Sequence, residues 1–155
     1  MRRLVIAAVC GLALAACSPK PHDIKITPEL LGDPAKVQAV SDRLDPAERP
    51  VFARYLLSRA AAASPLGAHA VLILAPGGKD PATVGEALVL TRQVIALEAE
   101  RDLKQNDASK RMDANQAAMV NGAPEGFAAY NDAVRDYNKA GEDFDAKLKA
   151  LQATK

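Results

Sequence analysis

Between Phe127 and Leu151 the chain repeats its apolar pattern every seven residues, and that period restricts the fold more than any other feature. Phe127, Val134, Gly141 and Leu148 form one set; Tyr130, Tyr137, Phe144 and Leu151, offset by three positions, form a second. On a helix both sets fall on one stripe, as the a and d positions of a heptad. A strand cannot carry this pattern, because its side chains alternate with a period of two. A stripe of this length needs a cover. The nearest one in sequence is the segment before Asn121-Gly122-Ala123-Pro124, which reads as a helix stop, a turn and a new start. The expected unit is an antiparallel helical hairpin. Four of the six aromatic residues lie on the stripe. Phe127, Tyr130, Val134, Tyr137 and Phe144 are therefore also a candidate surface for docking a protein partner. Gly141 interrupts the stripe. It either admits a neighbouring backbone or weakens the helix by about 1 kcal/mol relative to alanine.

The first arm of the hairpin opens at Thr83-Val84-Gly85-Glu86, the spacing of a capping box in which Thr and Glu side chains serve each other's backbone groups. Val84, Leu88, Thr91 or Arg92, Ile95, Ala99 and Leu103 mark its expected apolar face. Residues 104–111 are so polar that this part is expected to project into solvent or to kink. Met112, Ala117 and Met119 resume a weaker face. Glu100–Lys104, Asp107–Arg111, Asp143–Lys147 and Asp145–Lys149 are spaced for i,i+4 ion pairs, each worth about 0.2–0.5 kcal/mol.

Upstream, Thr27-Pro28, Asp33-Pro34 and Asp45-Pro46 are three cap-and-proline helix starts in close succession. They predict one short turn, a helix to about Leu44 and a helix to about residue 63 with Phe52, Tyr55, Leu56 and Ala60 on one stripe. Ser64-Pro65-Leu66-Gly67 breaks that helix. Residues 70–75 are an apolar run short enough for a buried strand. No second strand candidate exists to pair with it, and a lone strand leaves its backbone groups unmet. The run is expected to be a short buried helix or an irregular core segment. Pro76-Gly77-Gly78-Lys79-Asp80 reads as a turn.

The amino terminus carries an address. Arg2 and Arg3 precede an uncharged run, Leu4 to Ala16, that would reach only about 20 Å as a helix. A bilayer core is about 30 Å thick, so the run suits a secretory signal better than a membrane span. It ends in Leu14-Ala15-Ala16-Cys17, which resembles the lipobox of bacterial lipoproteins. The resemblance covers the first 17 residues. It implies that residues 1–16 are a signal peptide, that the Cys17 thiol receives a diacylglycerol, and that the new amine is open to acylation, with palmitate for example. Two or more acyl chains anchor stably where one does not. Ser18, in place of an aspartate, points toward the outer membrane. Residues 17–26 then form the lipidated cysteine and a flexible tether, kept from helix by Pro19 and Pro21 and able to reach about 30 Å. Residues 27–155 form one helical domain. Pro81 to Ala87 resembles a short motif of small uncharacterised bacterial envelope proteins, to which no activity attaches.

Composition narrows the function. Loss of Arg2 and Arg3 takes Lys and Arg from 20 to 18, against 19 Asp and Glu. No basic surplus remains for phosphates, so no nucleic-acid partner is expected. Cys10 leaves with the signal and Cys17 is consumed by lipid, which excludes a disulfide from the mature chain. The two histidines, His22 in the tether and His69 beside the apolar run, have no metal-ligand spacing around them. Glu98 and Asp102 lie one turn apart on a helix rather than facing each other across a cleft. No cofactor, metal or catalytic set is expected. The expected protein is an all-α, non-enzymatic envelope lipoprotein: short N-terminal helices followed by a long antiparallel hairpin, anchored to the membrane through Cys17 on the periplasmic side, with an envelope protein as partner. The alternatives are a periplasmic ligand-binding or chaperone-like module with an apolar groove between the short helices and the hairpin, and an enzyme built around His69.

Overall fold

The computed structural model describes residues 19–62, 64 and 71–153. Among them the chain is all-helical, with two isolated β-bridges and no paired strands. Helices α1 (Pro28–Leu31), α2 (Pro34–Arg43) and α3 (Arg49–Ala62) precede two long ones, α4 (Val84–Val120) and α5 (Pro124–Ala153), which pack against each other as a hairpin. Cys17 and His69 lie outside the described residues.

Two of the three proline starts behave as expected. Thr27 Oγ1 accepts the Leu30 N–H at 3.2 Å, and Asp33 Oδ1 accepts those of Ala35 and Lys36 at 3.0 and 3.2 Å. The third does not: residues 46–48 form a turn, and α3 begins at Arg49. Pro50 explains the shift. Proline is tolerated in the first turn of a helix but not deeper, where it removes a hydrogen bond and clashes with the carbonyl four residues back. A helix starting at Pro46 would bury Pro50 in its second turn; one starting at Arg49 does not. The α3 stripe also differs from expectation. Phe52, Tyr55 and Ser58 are buried, Leu56 is half-buried and Ala60 is exposed.

Ser58 is buried for a reason that concerns the apolar run. Residues 71–74 are irregular, with Ile73 and Ala75 in the core. The run lacks a partner strand, and side chains meet its backbone instead. The Ile73 N–H donates to Ser58 Oγ at 3.3 Å, and Gln152 Nε2 donates to the Leu72 carbonyl at 2.9 Å. The Gly77 N–H in turn donates to the Gln152 carbonyl at 2.8 Å. The Pro76-Gly77 turn closes with a bond from the Gly78 N–H to the Ala75 carbonyl, and Gly77 takes the positive φ of 78° that this turn requires.

One core binds the body together. Leu30, Val40, Leu44, Phe52, Tyr55, Ile73, Val84, Leu88 and Val94 are buried in it, with Leu148 and Leu151 of α5 packed against them. Phe52 and Tyr55 stack on each other, centroids 6.2 Å apart. The last helix thus joins this core through leucines near its end, while its aromatic residues lie further out. Ile24 and Ile26 also pack here. The segment expected to be a free tether is held against the body from Pro21 onward: the Ile26 N–H donates to the Ala82 carbonyl at 3.0 Å, and the Val84 N–H to that of Ile24 at 2.9 Å. Alternating apolar residues inside a polar stretch supply the reason, since two isoleucines gain more from burial than from solvent.

Helix α4 is unbroken through its polar middle. Thr83 Oγ1 caps it by accepting the Glu86 N–H at 3.2 Å, while the Glu86 carboxylate takes the N–H of Ala82, one residue before the cap. Its inward face keeps a strict three-four rhythm: Val84, Ala87, Thr91, Val94, Glu98, Arg101, Gln105, Ala108, Met112, Asn115 and Met119 are all buried or half-buried. Ile95, Ala99 and Leu103, expected on this face, are exposed. At the far end the N–H of Gly122 donates to Met119 and that of Ala123 to Ala118, with φ +78° at Gly122, the arrangement of a Schellman stop.

The seam on α5 is displaced by one residue from the expected stripe. Gly126, Ala133, Ala140 and Phe144 are its buried members. The Tyr130, Tyr137, Phe144 and Leu151 set still borders the seam, but its companion set is Gly126, Ala133 and Ala140 rather than Phe127, Val134 and Gly141. Close approach causes the change: a Cβ on Gly126 would lie 2.7 Å from Ala118 C, Ala118 Cβ and Met119 N. Where two backbones come this near, small residues must face inward. Gly141 has only Gln105 Nε2 near it, at 3.8 Å, so it is the weak point and Gly126 the close contact.

Candidate functional site

Beyond Val94 on α4, Ala108 is the one fully buried residue of that helix, and the link to α3 there is the Arg54–Glu98 ion pair at 2.7 Å. The two helices continue outward with only each other for support. This two-helix arm ends at the Asn121–Ala123 turn. Polar contacts hold its sides. Lys147 Nζ reaches across from α5 to both Glu100 oxygens at 2.6 and 2.7 Å, joining Lys104 Nζ at 2.8 Å. Two lysines on one carboxylate, Lys104 foremost, bring Glu100 down to about 2. Lys147 thereby leaves its expected partner Asp143. Further out, Arg111 joins Asp136 at 2.9 Å and Asp107 at 3.2 Å. Arg101 lies over the Phe144 ring, 4.7 Å from its centroid.

The candidate docking stripe is divided by this packing. Phe144, 6% exposed, is covered by Arg101 and belongs to the interior. Tyr130 and Val134 are half-buried at the edge of the seam. Phe127 is 47% exposed and Tyr137 38%. Phe127 is in solvent because it stands one residue, or about 100°, past the glycine that faces α4. Other large apolar residues are exposed as well, Leu57 and Val89 on the body among them. Leu103, assigned to the inner face, is 73% exposed, and Val120 at the tip is 72% exposed. Their signal was the phase of the α4 rhythm, which only the partner helix fixes. A groove of about 580 Å³ runs beside Leu103 between the arm helices. Asp107, Arg111, Asp136 and Lys139 line it, and three of these are already paired among themselves.

Among the described residues, Phe52, Tyr55, Ile73 and Leu88 are buried between the short helices and α4, where a ligand-binding or chaperone-like module would have its apolar groove. Among the described residues no His, Cys, Asp and Glu cluster has the geometry to hold a metal, and no helix is long and apolar enough to cross a membrane. Glu98 is engaged by Arg54 at 2.7 Å and Asp102 by its neighbour Arg101, so the two acids are committed to ion pairs. His22 pairs with Glu48 at 2.8 Å. Compared with known proteins, the chain matches no protein-family model, no curated protein and no solved structure.

Proposed function

We propose that this protein is a lipid-anchored component of the bacterial envelope that works by docking, without catalysis, through its helical arm. The observation that carries the reading is the arm itself. It leaves the body that holds the core, buries mostly small residues, and exposes Phe127 and Val120 toward its tip and Tyr137 further back, level with Gln105. Large apolar and aromatic groups of this kind anchor protein interfaces when their surroundings exclude water. The address rests on Leu14-Ala15-Ala16-Cys17. Membrane attachment without a spanning helix would leave the whole folded chain in the envelope space, with the arm free to meet a partner.

Two measurements test the reading. Intact mass of the protein purified from membranes should show loss of residues 1–16 and an acyl addition on Cys17, and Cys17→Ser should remain unprocessed. A chain cut elsewhere and found free of the membrane would refute the anchor. Photocrosslinking residues placed at Phe127 and Tyr137 in the full chain should give one discrete adduct in native membranes, lost in Phe127→Asp. A folded protein giving no discrete adduct from either position, while residues on the opposite side of the arm behave identically, would refute docking through the arm.

A further inference from the structure

The segment that follows Cys17 is locked where it meets α4. The His22 imidazole and Arg92 guanidinium share the Glu48 carboxylate, Nε2 to Oε2 at 2.8 Å and Nη2 to Oε1 at 2.9 Å. That carboxylate is 12% exposed. Both partners hold it below the ordinary carboxylate range, Arg92 foremost. Gly85, in the first turn of α4, makes room for the His22 backbone: a Cβ there would lie 3.1 Å from the His22 carbonyl oxygen and 3.2 Å from its Cβ. Lys25 and Thr83 face each other in an antiparallel bridge. Two residues before Pro21, the Pro19 carbonyl accepts from Arg43.

We propose that residues 21–26 are a clasp fastening the lipid-bearing end to the foot of α4, so that this foot is the face the protein turns to the bilayer. The proposal rests on reading Cys17 as the lipidated residue. The described chain begins at Pro19, two residues before the clasp. The four steps from Cys17 to Pro21 span at most about 14 Å, against about 35 Å for a free chain reaching Thr27. Helix α4 is 37 residues long, about 55 Å. The arm tip is thus at the end of α4 remote from the anchor. Lipid headgroups meet the foot, and the tip is left for other partners.

The full-length protein carrying Lys25→Cys and Thr83→Cys, extracted from membranes without reductant, tests the clasp. The bridge is of the narrow, non-hydrogen-bonded kind, with Cα atoms typically about 4.5 Å apart, within the span of a disulfide. The envelope favours oxidation. Most molecules should show the loss of two hydrogens in intact mass and resist maleimide. Gly85→Leu in the same background pushes a side chain into the His22 contact while improving helix propensity, and should raise the free-thiol fraction several-fold. Equal free-thiol fractions in the two proteins would overturn the clasp. The acyl mass on Cys17 is read in the same spectrum; its absence beside an intact disulfide would refute the anchor and the lipid-facing foot, and leave the clasp standing. Orientation is read from the lipidated protein in phosphatidylcholine vesicles containing an acceptor-labelled lipid. A donor at Val89→Cys, one turn beyond the clasp, should transfer several-fold more than one at Asn121→Cys. Equal transfer would overturn the assignment of the foot as the bilayer-facing surface.

Discussion

Gly126→Ala and Gly141→Ala are the same substitution in the same helix, and the packing predicts opposite signs for them. An alanine Cβ at 126 would stand 2.7 Å from two backbone atoms of α4 and from Ala118 Cβ. Carbon atoms prefer about 3.5–4.0 Å. Backbone cannot rotate aside, so the helices must part or the first turn of α5 must tilt. Overpacking of this kind costs about 1–3 kcal/mol. Improved helix propensity returns at most about 1 kcal/mol, and less in a first turn, which leaves a net loss of about 1–2 kcal/mol. At Gly141 the nearest foreign atom is the end of the Gln105 side chain, at 3.8 Å, an ordinary contact. Alanine there should stabilise by about 0.5–1 kcal/mol. Thermal unfolding followed by circular dichroism should move by roughly 3–5 °C per kcal/mol, in opposite directions. Amide exchange should localise the Gly126 effect, accelerating at the Met119–Val120 end of α4 by about 5–30-fold. If Gly126→Ala stabilised the protein as Gly141→Ala does, the close approach at the tip would be refuted, and with it the displaced seam.

Tyr55→Phe should be neutral or stabilising by up to about 1 kcal/mol, because the buried Tyr55 hydroxyl has no hydrogen-bond partner among the described residues; a loss above that in urea unfolding would show a partner. Burial, aided by Asp80, pushes the same phenol up to about 12, so its absorbance change in an alkaline titration should come near that pH, and a rise complete by about pH 10.5 would count against its burial. Ser58→Ala strips the Ile73 N–H of its acceptor in the core and should cost about 1–3 kcal/mol in denaturant unfolding; a cost near zero would mean another group serves that amide. Glu100 has its folded pKa depressed to about 2 by Lys104 and Lys147, so its contribution is present above the ordinary carboxylate value of 4.5 and is lost as pH falls from there to about 2. Carboxyl NMR titration should show Glu100 still ionised at pH 3.5, and a midpoint near 4.5 would refute the bridged arrangement.

Much of this architecture was legible because local chemistry and tertiary packing agree. Thr27, Asp33 and Thr83 are caps in sequence and in structure, and the heptad period of the last helix did announce a hairpin. Phase was harder. A period tells which residues share a face, but the partner decides which face turns inward, and here a glycine–alanine row outranked Phe127 and Val134 because the backbones nearly touch. The α4 face was misread for a related reason: hydropathy favoured Ile95 and Leu103, whereas the seam carries Glu98, Arg101 and Gln105, polar groups with long stems and partners at the rim. The start of α3 was readable from Pro50, whose tolerance limits where a helix begins. The docking of residues 21–26 was half visible in Ile24 and Ile26, but the matching gap at Gly85 belongs to a segment sixty positions away. No local signal connects the two.

Because both arm helices keep one seam in step, the length of the arm is separable from the body. Deleting seven residues from each helix, at paired positions between Arg101 and Asn115 and between Ala129 and Phe144, would return every remaining seam residue to its place and shorten the reach by about 10 Å. Deleting seven from one helix alone would leave its partner's stripe bare for two turns. The core of Phe52, Tyr55 and Leu88 would register neither the shortening nor the corresponding extension. Reach is therefore a quantity this chain can vary in discrete steps while its foundations stay as they are, set by the number of heptads between Val94 and the tip.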